Sequence, residues 1–278
     1  MTINPRTSEK IARFIIWSAA LFVITILMAI IIYLLVRGVP MISWGFLTEI
    51  PRNMGRSGGI ASPIVGTLMV TALAILIVTP FGIGTALYLA EYTRENMITR
   101  VIRFSAESLA GIPSIVYGLF GFIFFVIYLD LGWSVLSGGL TLAVMILPTV
   151  IRTSEEAIRG VPQIYREVSY SLGGTKWQTI IKVVFPSAIR GITNGVILGI
   201  GRCVAETAAV ALTAGTSLRM PTSIFSPART MAFHFYILAR EGISMEHAYG
   251  TAALLIILIF FINVVVNMLV NRFISKGR

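Results

Sequence analysis

Uncharged, apolar residues run through this chain in blocks long enough to cross a bilayer. Short segments rich in Arg, Lys, Gly and Pro separate them. A helix rises about 1.5 Å per residue, so roughly 20 apolar residues cover about 30 Å of hydrocarbon. By that measure six spans are predicted, at about 14–36, 63–89, 105–129, 132–151, 191–216 and 248–271. Backbone polar groups cannot face lipid unpaired, so each span is expected to be helical. The pattern predicts an all-α polytopic membrane protein in which 1–278 form a single transmembrane domain. The first run is longer than a secretory h-region, and no small-residue cleavage site follows it, so it reads as an uncleaved anchor. Two spans carry irregularities. Gly111-Ile112-Pro113-Ser114 breaks the third near its start, either to line a cavity or to kink for packing. The fifth contains Arg202 and Glu206.

The segment at 152–190, between the fourth and fifth spans, has a different period. Ile164, Val168 and Leu172 recur every four residues, an amphipathic helical stripe, and Pro162 suits the helix start. Gly173-Gly174 stops that helix. Thr175 suits the N-cap of a second one, which runs from Lys176-Trp177 through Ile180, Ile181, Val183 and Val184 to Pro186. A short helix, a glycine turn and a helix feeding a span are expected.

Composition narrows the class. Only 12% of residues are charged, against about 25% in ordinary soluble domains, while 56% are hydrophobic and mean hydropathy is +0.87. A soluble enzyme, a disordered chain and a disulfide scaffold are excluded; the lone Cys203 has no pairing or metal-ligand companion. The net charge of +10 would point to nucleic acid in a soluble protein. Here position decides otherwise. Arg6, Lys10, Arg13, Arg94, Arg100 and Arg103 fall on one side with Arg152, Arg159, Arg166, Lys176, Lys182, Arg190, Arg272, Lys276 and Arg278. Arg37, Arg52, Arg56, Arg219, Arg229 and Arg240 fall on the other. The bias follows the positive-inside rule, so both termini are expected in the cytoplasm and no nucleic-acid partner is expected.

Arg202 and Glu206 stand four apart, which places them on one face of an unbroken helix. A charge at the bilayer centre costs roughly 2.5–3.5 kcal/mol on insertion scales, so the pair should face the bundle interior or a wet path. Arginine presents a planar fork of donors suited to oxyanions. Two readings stand: a transient anion contact or gate, with Thr207 and Thr213 adding hydroxyls, or a static ion pair holding neighbouring helices. Glu107 caps or snorkels at the inner surface. Gly173-Gly174-Thr175-Lys176 lacks the full phosphate-loop pattern, and Gly82-x-Gly84 sits in an apolar helix where small residues serve packing. His234 and His247 are too isolated for a metal site, and no hydrolase motif is present. Neither enzymatic activity, nor a cofactor, nor a metal is expected, so energy must come from a partner or an ion gradient.

Glu167, Gly173 and Pro186 reproduce the spacing of the cytoplasmic signature of binding-protein-dependent ABC importer permeases: Glu-Ala-Ala, three residues, Gly, nine residues, Ile-x-Leu-Pro. Val168 and Ser169 replace the alanines, Val183 the isoleucine and Phe185 the leucine. The alternative is an amphipathic helix lying on the membrane. Farther afield, G-G-I-A-S-P-I-V-G-T-L, A-L-Y-L-A-E-Y, L-A-G-I-P-S-I-V-Y-G-L-F and I-L-P-T-V-I-R-T-S-E-E-A-I-R-G-V-P resemble phosphate-specific transport permeases of the PstA type. That family's Arg-x-x-Gly-Glu-Thr-Ala-Pro appears here as Arg202-Cys203-Val204-Ala205-Glu206-Thr207-Ala208-Ala209, and Ala209 is closer to the sister PstC pattern.

The resemblance implies a type I (MetI-like) ABC importer permease fold with a cytoplasmic coupling helix. It implies import of inorganic phosphate, a heterodimer with PstC, a PstB ATPase dimer and a periplasmic or extracellular phosphate-binding protein. Glu167, Gly173 and Pro186 would couple to the ATPase, and Arg202, Glu206 and Thr207 would lie on the translocation path. A PstC-type subunit, a permease for another oxyanion, and a secondary transporter or channel are the alternatives.

Overall fold

The computed structural model describes residues 5–93 and 96–276; Arg94 and Arg278, counted above among the inner-side basic residues, lie outside them. The described residues form helices joined by short turns. α1 (Pro5–Gly38) leads through a short α2 (Trp44–Thr48) to α3 (Ala61–Leu87), which continues as a π-helical turn, Tyr88–Tyr92. α4 (Met97–Ala110) and α5 (Ser114–Gly121) follow, and α5 is extended by a π stretch, Phe122–Tyr128. α6 (Val135–Arg159) precedes the short α7 (Gln163–Ser171). Then α8 (Lys176–Thr179), a π turn (Ile180–Val184) and α9 (Phe185–Ala205) form one rod of 30 residues. α10 (Ala208–Thr213), α11 (Met231–Arg240) and α12 (Met245–Lys276) complete the chain.

Five of these helical stretches are long and apolar enough to cross a membrane, and the bent pair α4–α5 makes a sixth crossing when taken together. The break expected at Gly111-Ile112-Pro113-Ser114 is present, and it is sharper than a kink within a single span at 105–129. The chain turns through 100° between Ala110 and Ser114, so residues up to Ala110 run across the bundle rather than along it. The reason is local. Pro113 has no N–H to continue the helix, and Asn96 starts α4 with a capping box to Thr99, which fixes α4 as a separate element. The crossing part, Ser114–Tyr128, rises only roughly 20 Å at about 1.5 Å per residue.

The core lies where α3, α6 and α9 meet, with α5 and α10 packed on one side. Val70, Ala74 and Val78 of α3 interlock with Leu142, Met145, Ile146 and Val150 of α6. Small residues allow the close approach that membrane bundles need. A Cβ on Gly139 would sit 2.6 Å from Leu73 Cδ2, and one on Gly195 2.0 Å from Thr153 Oγ1. Of the expected packing pair, Gly82 abuts Val150, whereas Gly84 faces open space. α1 leans mainly on α12, joined by a Tyr33–Tyr249 hydroxyl contact of 3.3 Å, and its apolar side chains are otherwise exposed.

Candidate functional site

The segment between α6 and α9 is built as its residues dictate. α7 begins after Pro162 and contains no buried residue. Ile164, Val168 and Leu172 are exposed, Leu172 by 83%. They line one side of a groove of about 670 Å³ that Gly173, Gly174, Gln178 and Val183 complete. Glu167 is exposed, and its carboxylate has no partner among the described residues. Gly173 has φ +81°, a left-handed conformation that an L side chain resists, so glycine is required for this turn. Thr175 caps α8 as expected: its Oγ1 accepts from Gln178 N at 3.3 Å, and Gln178 Oε1 accepts from Thr175 N at 2.9 Å. Ser169 and Thr179 hydroxyls, 2.8 Å apart, tie the two helices together. Pro186 lies in the first turn of α9, immediately after the π turn. A proline cannot donate to the carbonyl four residues back, and a wider turn absorbs that loss.

One attachment of α7 was not singled out from the sequence. Arg166 Nη2 donates to Glu91 Oε1 at 2.7 Å and Arg166 Nε to the same oxygen at 3.1 Å. Its remaining donors reach Val161 O at 2.7 Å and Ile158 O at 3.0 Å. Both side chains are nearly buried, at 11% and 6% exposed. Glu91 is the first charge after the second apolar block, the one signal that could have drawn attention to it. Nearby, Arg103 and Arg159 both pair with Glu155, at 2.8 and 3.0 Å, and Arg152 pairs with Glu107 and Glu156, at 3.0 and 3.1 Å. Arg103–Glu155 and Arg152–Glu107 join α4 to α6, the other two pairs lie within α6, and Glu107 has a partner rather than a capping role.

The intramembrane charges are arranged differently from the expected helix face. α9 ends at Ala205, and Glu206 has extended backbone (φ −71°, ψ 132°). The carboxylate of Glu206 turns forward onto α10, where Oε1 accepts from Thr207 N and Ala209 N, each at 3.2 Å. Glu206 is therefore a buried cap, 9% exposed, and not the partner of Arg202. Arg202, in the last turn of α9, is half-buried and makes no hydrogen bond or ion pair among the described residues. The expected shared face fails because the helix breaks between the two. The break is stabilised by close packing: a Cβ on Gly118 of α5 would lie 2.8 Å from Ala209 Cα. Thr207 Oγ1 reaches Ala205 O at 3.4 Å, so its hydroxyl stays at the break, whereas Thr213 is buried and bonded to Ala209 O.

At the opposite end, between the last two spans, Arg229 Nε donates to Thr216 O at 3.0 Å and Arg229 Nη1 approaches His234 Nδ1 at 3.5 Å. Burial lowers the pKa of Arg229. Burial, then the charges of Arg229 and His247, pushes His234 down to about 3, so its ring is neutral. His247 pairs with Ser244 Oγ at 3.0 Å. Among the described residues no three His, Cys, Asp or Glu side chains gather as metal ligands.

Residues 79–276 match the family described as binding-protein-dependent transport system inner membrane component. The chain is 33% identical to the probable ABC transporter permease protein YqgI of Bacillus subtilis (strain 168), over 94% of both chains. It is 37% identical to phosphate transport system permease protein PstA 1 of Mycobacterium tuberculosis (strain CDC 1551 / Oshkosh), over 80% of this chain and 73% of that one. Among solved structures, the inward-facing MetNI methionine ABC transporter superposes with a TM-score of 0.62 at 17% identity, over 79% of this chain and 96% of that one. A bacterial ABC transporter for the acidic polysaccharide alginate gives 0.63 at 15%, over 96% and 99%. These likenesses show the all-α importer-permease fold expected from the sequence.

Proposed function

The chain belongs to the family of binding-protein-dependent transport system inner membrane components, and from that premise we propose that it is the permease subunit of an ATP-driven importer of inorganic phosphate. As such a component it is a multi-pass inner-membrane protein without ATPase activity of its own, and its family works with an ATPase and a substrate-binding protein. Phosphate as the cargo rests on the relatives named phosphate transport system permease protein PstA. The finer assembly is part of the proposal: a heterodimer with a PstC-type sister, a PstB-type ATPase dimer under α7, a phosphate-binding protein on the opposite face, and both termini cytoplasmic. All of 1–278 serves as one permease domain.

One observation carries the mechanism. The rod Lys176–Ala205 starts at the coupling turn and ends at Arg202, so a displacement at one end reaches the other without a joint made of loop. At about 1.5 Å per residue that rod is roughly 45 Å long. α7 docks into the ATPase through Glu167 and its exposed apolar stripe. Gly173 sets the turn, and the π joint before Pro186 lets the rod bend. Arg202, left without an acidic partner, meets the anion transiently, while Glu206 and Thr207 hold the backbone open at the break. A weak contact suits passage. Inward movement against an inside-negative potential already costs about 2.3 kcal/mol per charge per 100 mV, and a tight site would add a release barrier.

The test is reconstitution with sister permease, ATPase and phosphate-binding protein in vesicles. ATP-dependent phosphate uptake is expected, with Arg202→Ala reducing it by about tenfold or more, an effect of about 1.4 kcal/mol. Uphill phosphate transport by this subunit alone in an ion gradient would overturn the importer reading. Full uptake by Arg202→Ala would remove Arg202 from the path.

A further inference from the structure

α7 is held to the body of the protein in an unusual way. None of its residues is buried, so hydrophobic packing contributes little to its position. Its covalent connections are both turns: Gly160-Val161-Pro162 before it, and Leu172-Gly173-Gly174-Thr175, with φ +81° at Gly173, after it. Neither turn by itself fixes α7 against α3 and α6. What remains is polar. The Ser169–Thr179 contact ties α7 to α8. The Arg166 guanidinium ties it to everything else: to Glu91 at the end of α3, and to Ile158 O and Val161 O at and just beyond the end of α6.

The chemistry at that point is specific. The carbonyls at the end of α6 carry partial negative charge, and a guanidinium there is favoured by the helix dipole as well as by its hydrogen bonds. Its fork makes three contacts to the Glu91 carboxylate, two of them to the same oxygen, and one to each carbonyl, five in all, which an ammonium could not match. With both side chains nearly removed from water, the geometry is rigid, and loss of one partner would leave the other charge buried without compensation.

We propose that the Glu91–Arg166 pair is the joint that carries movement of α7 into α3 and α6, and that its rigidity sets how many anions are imported per ATP hydrolysed. This rests on the importer reading above, and names a positioning pair within it. The rod beginning at α8 moves the end that bears Arg202, and the Glu91–Arg166 joint makes α3 and α6 move with it.

The experiment uses the full reconstituted complex and measures uptake and ATP hydrolysis in the same vesicles. The variants are Glu91→Gln, Arg166→Lys and the exchange Glu91→Arg with Arg166→Glu. Glu91→Gln is expected to lower anions imported per ATP by about fivefold or more, the scale of ordinary coupling energies, while hydrolysis falls much less. Arg166→Lys, which keeps the charge and loses the fork, is expected to fall between wild type and Glu91→Gln. The exchange is expected to recover part of the ratio. An unchanged ratio in Glu91→Gln and Arg166→Lys overturns the proposal. So does equal loss of uptake and hydrolysis with dissociation of the ATPase in both variants, since the pair would then only hold the subunit together. The ratio can be read for whichever oxyanion the wild-type complex pumps, so a wrong cargo would not be confused with a wrong joint.

Discussion

His234 shows what burial does to a single side chain outside the spans. Its ring is fully buried, its Nε2 has no partner among the described residues, and Arg229 lies against its Nδ1. Held at about 3 in the folded protein, the ring is neutral there, but it takes up a proton below about 6.5 once unfolded. The unfolded chain therefore binds more protons across that interval, and stability is lost as pH falls through it, by at most about 1.4 kcal/mol per unit. Melting in detergent should drop between pH 7 and pH 5, and the drop should shrink in His234→Gln; an equal drop in both would assign the effect to other groups. At this scale the sequence was only partly informative. Glu206 was recognised as unusual because a charge inside an apolar block stands out. Its role as a cap depended on where α9 stops, which hydropathy cannot show. Arg166 and Glu91 are 75 positions apart, so no local pattern joins them.

Among the elements, the turn after α7 is the clearest match between residue and shape. A non-glycine residue at the left-handed φ of Gly173 costs about 1–2 kcal/mol, enough to change an exposed turn held by a few hydrogen bonds. Gly173→Asp should insert and assemble normally, yet substrate-stimulated ATP hydrolysis should fall several-fold; normal stimulation would separate this turn from coupling. The caps at Thr175 and the start after Pro162 were legible because capping is a local hydrogen-bond pattern. The break of the third span is legible because Gly and Pro mark it locally, although its angle is not; the break of the fifth is hidden, because averaging hydropathy over a window smooths across Glu206, where one element ends and another starts.

For the whole molecule, the number of crossings and their identity as helices followed from apolar block length, since lipid leaves a backbone few alternatives. Which blocks pack centrally did not. α3, α6 and α9 form the middle through close contacts at Gly139 and Gly195 that depend on tertiary register, while α1, more apolar than any of them, remains at the periphery. Orientation rests on the basic residues, and the chain offers a direct way to check it. Its lone Cys203 is buried, so a cysteine introduced at an exposed site is the one a thiol reagent will find. In intact cells, an impermeant maleimide should label Ser223→Cys and spare Ser171→Cys; the reverse pattern would invert the topology.

The right-angled joint between α4 and α5 also bears on the surrounding lipid. The apolar stretch that follows it, Ser114–Tyr128, falls about 8 Å short of typical hydrocarbon thickness. Acyl chains beside it must thin the bilayer locally, at fractions of a kcal/mol per Å, or leave that flank to another protein. A solitary subunit would pay more for this mismatch in thick membranes than in thin ones, so its own shape favours company.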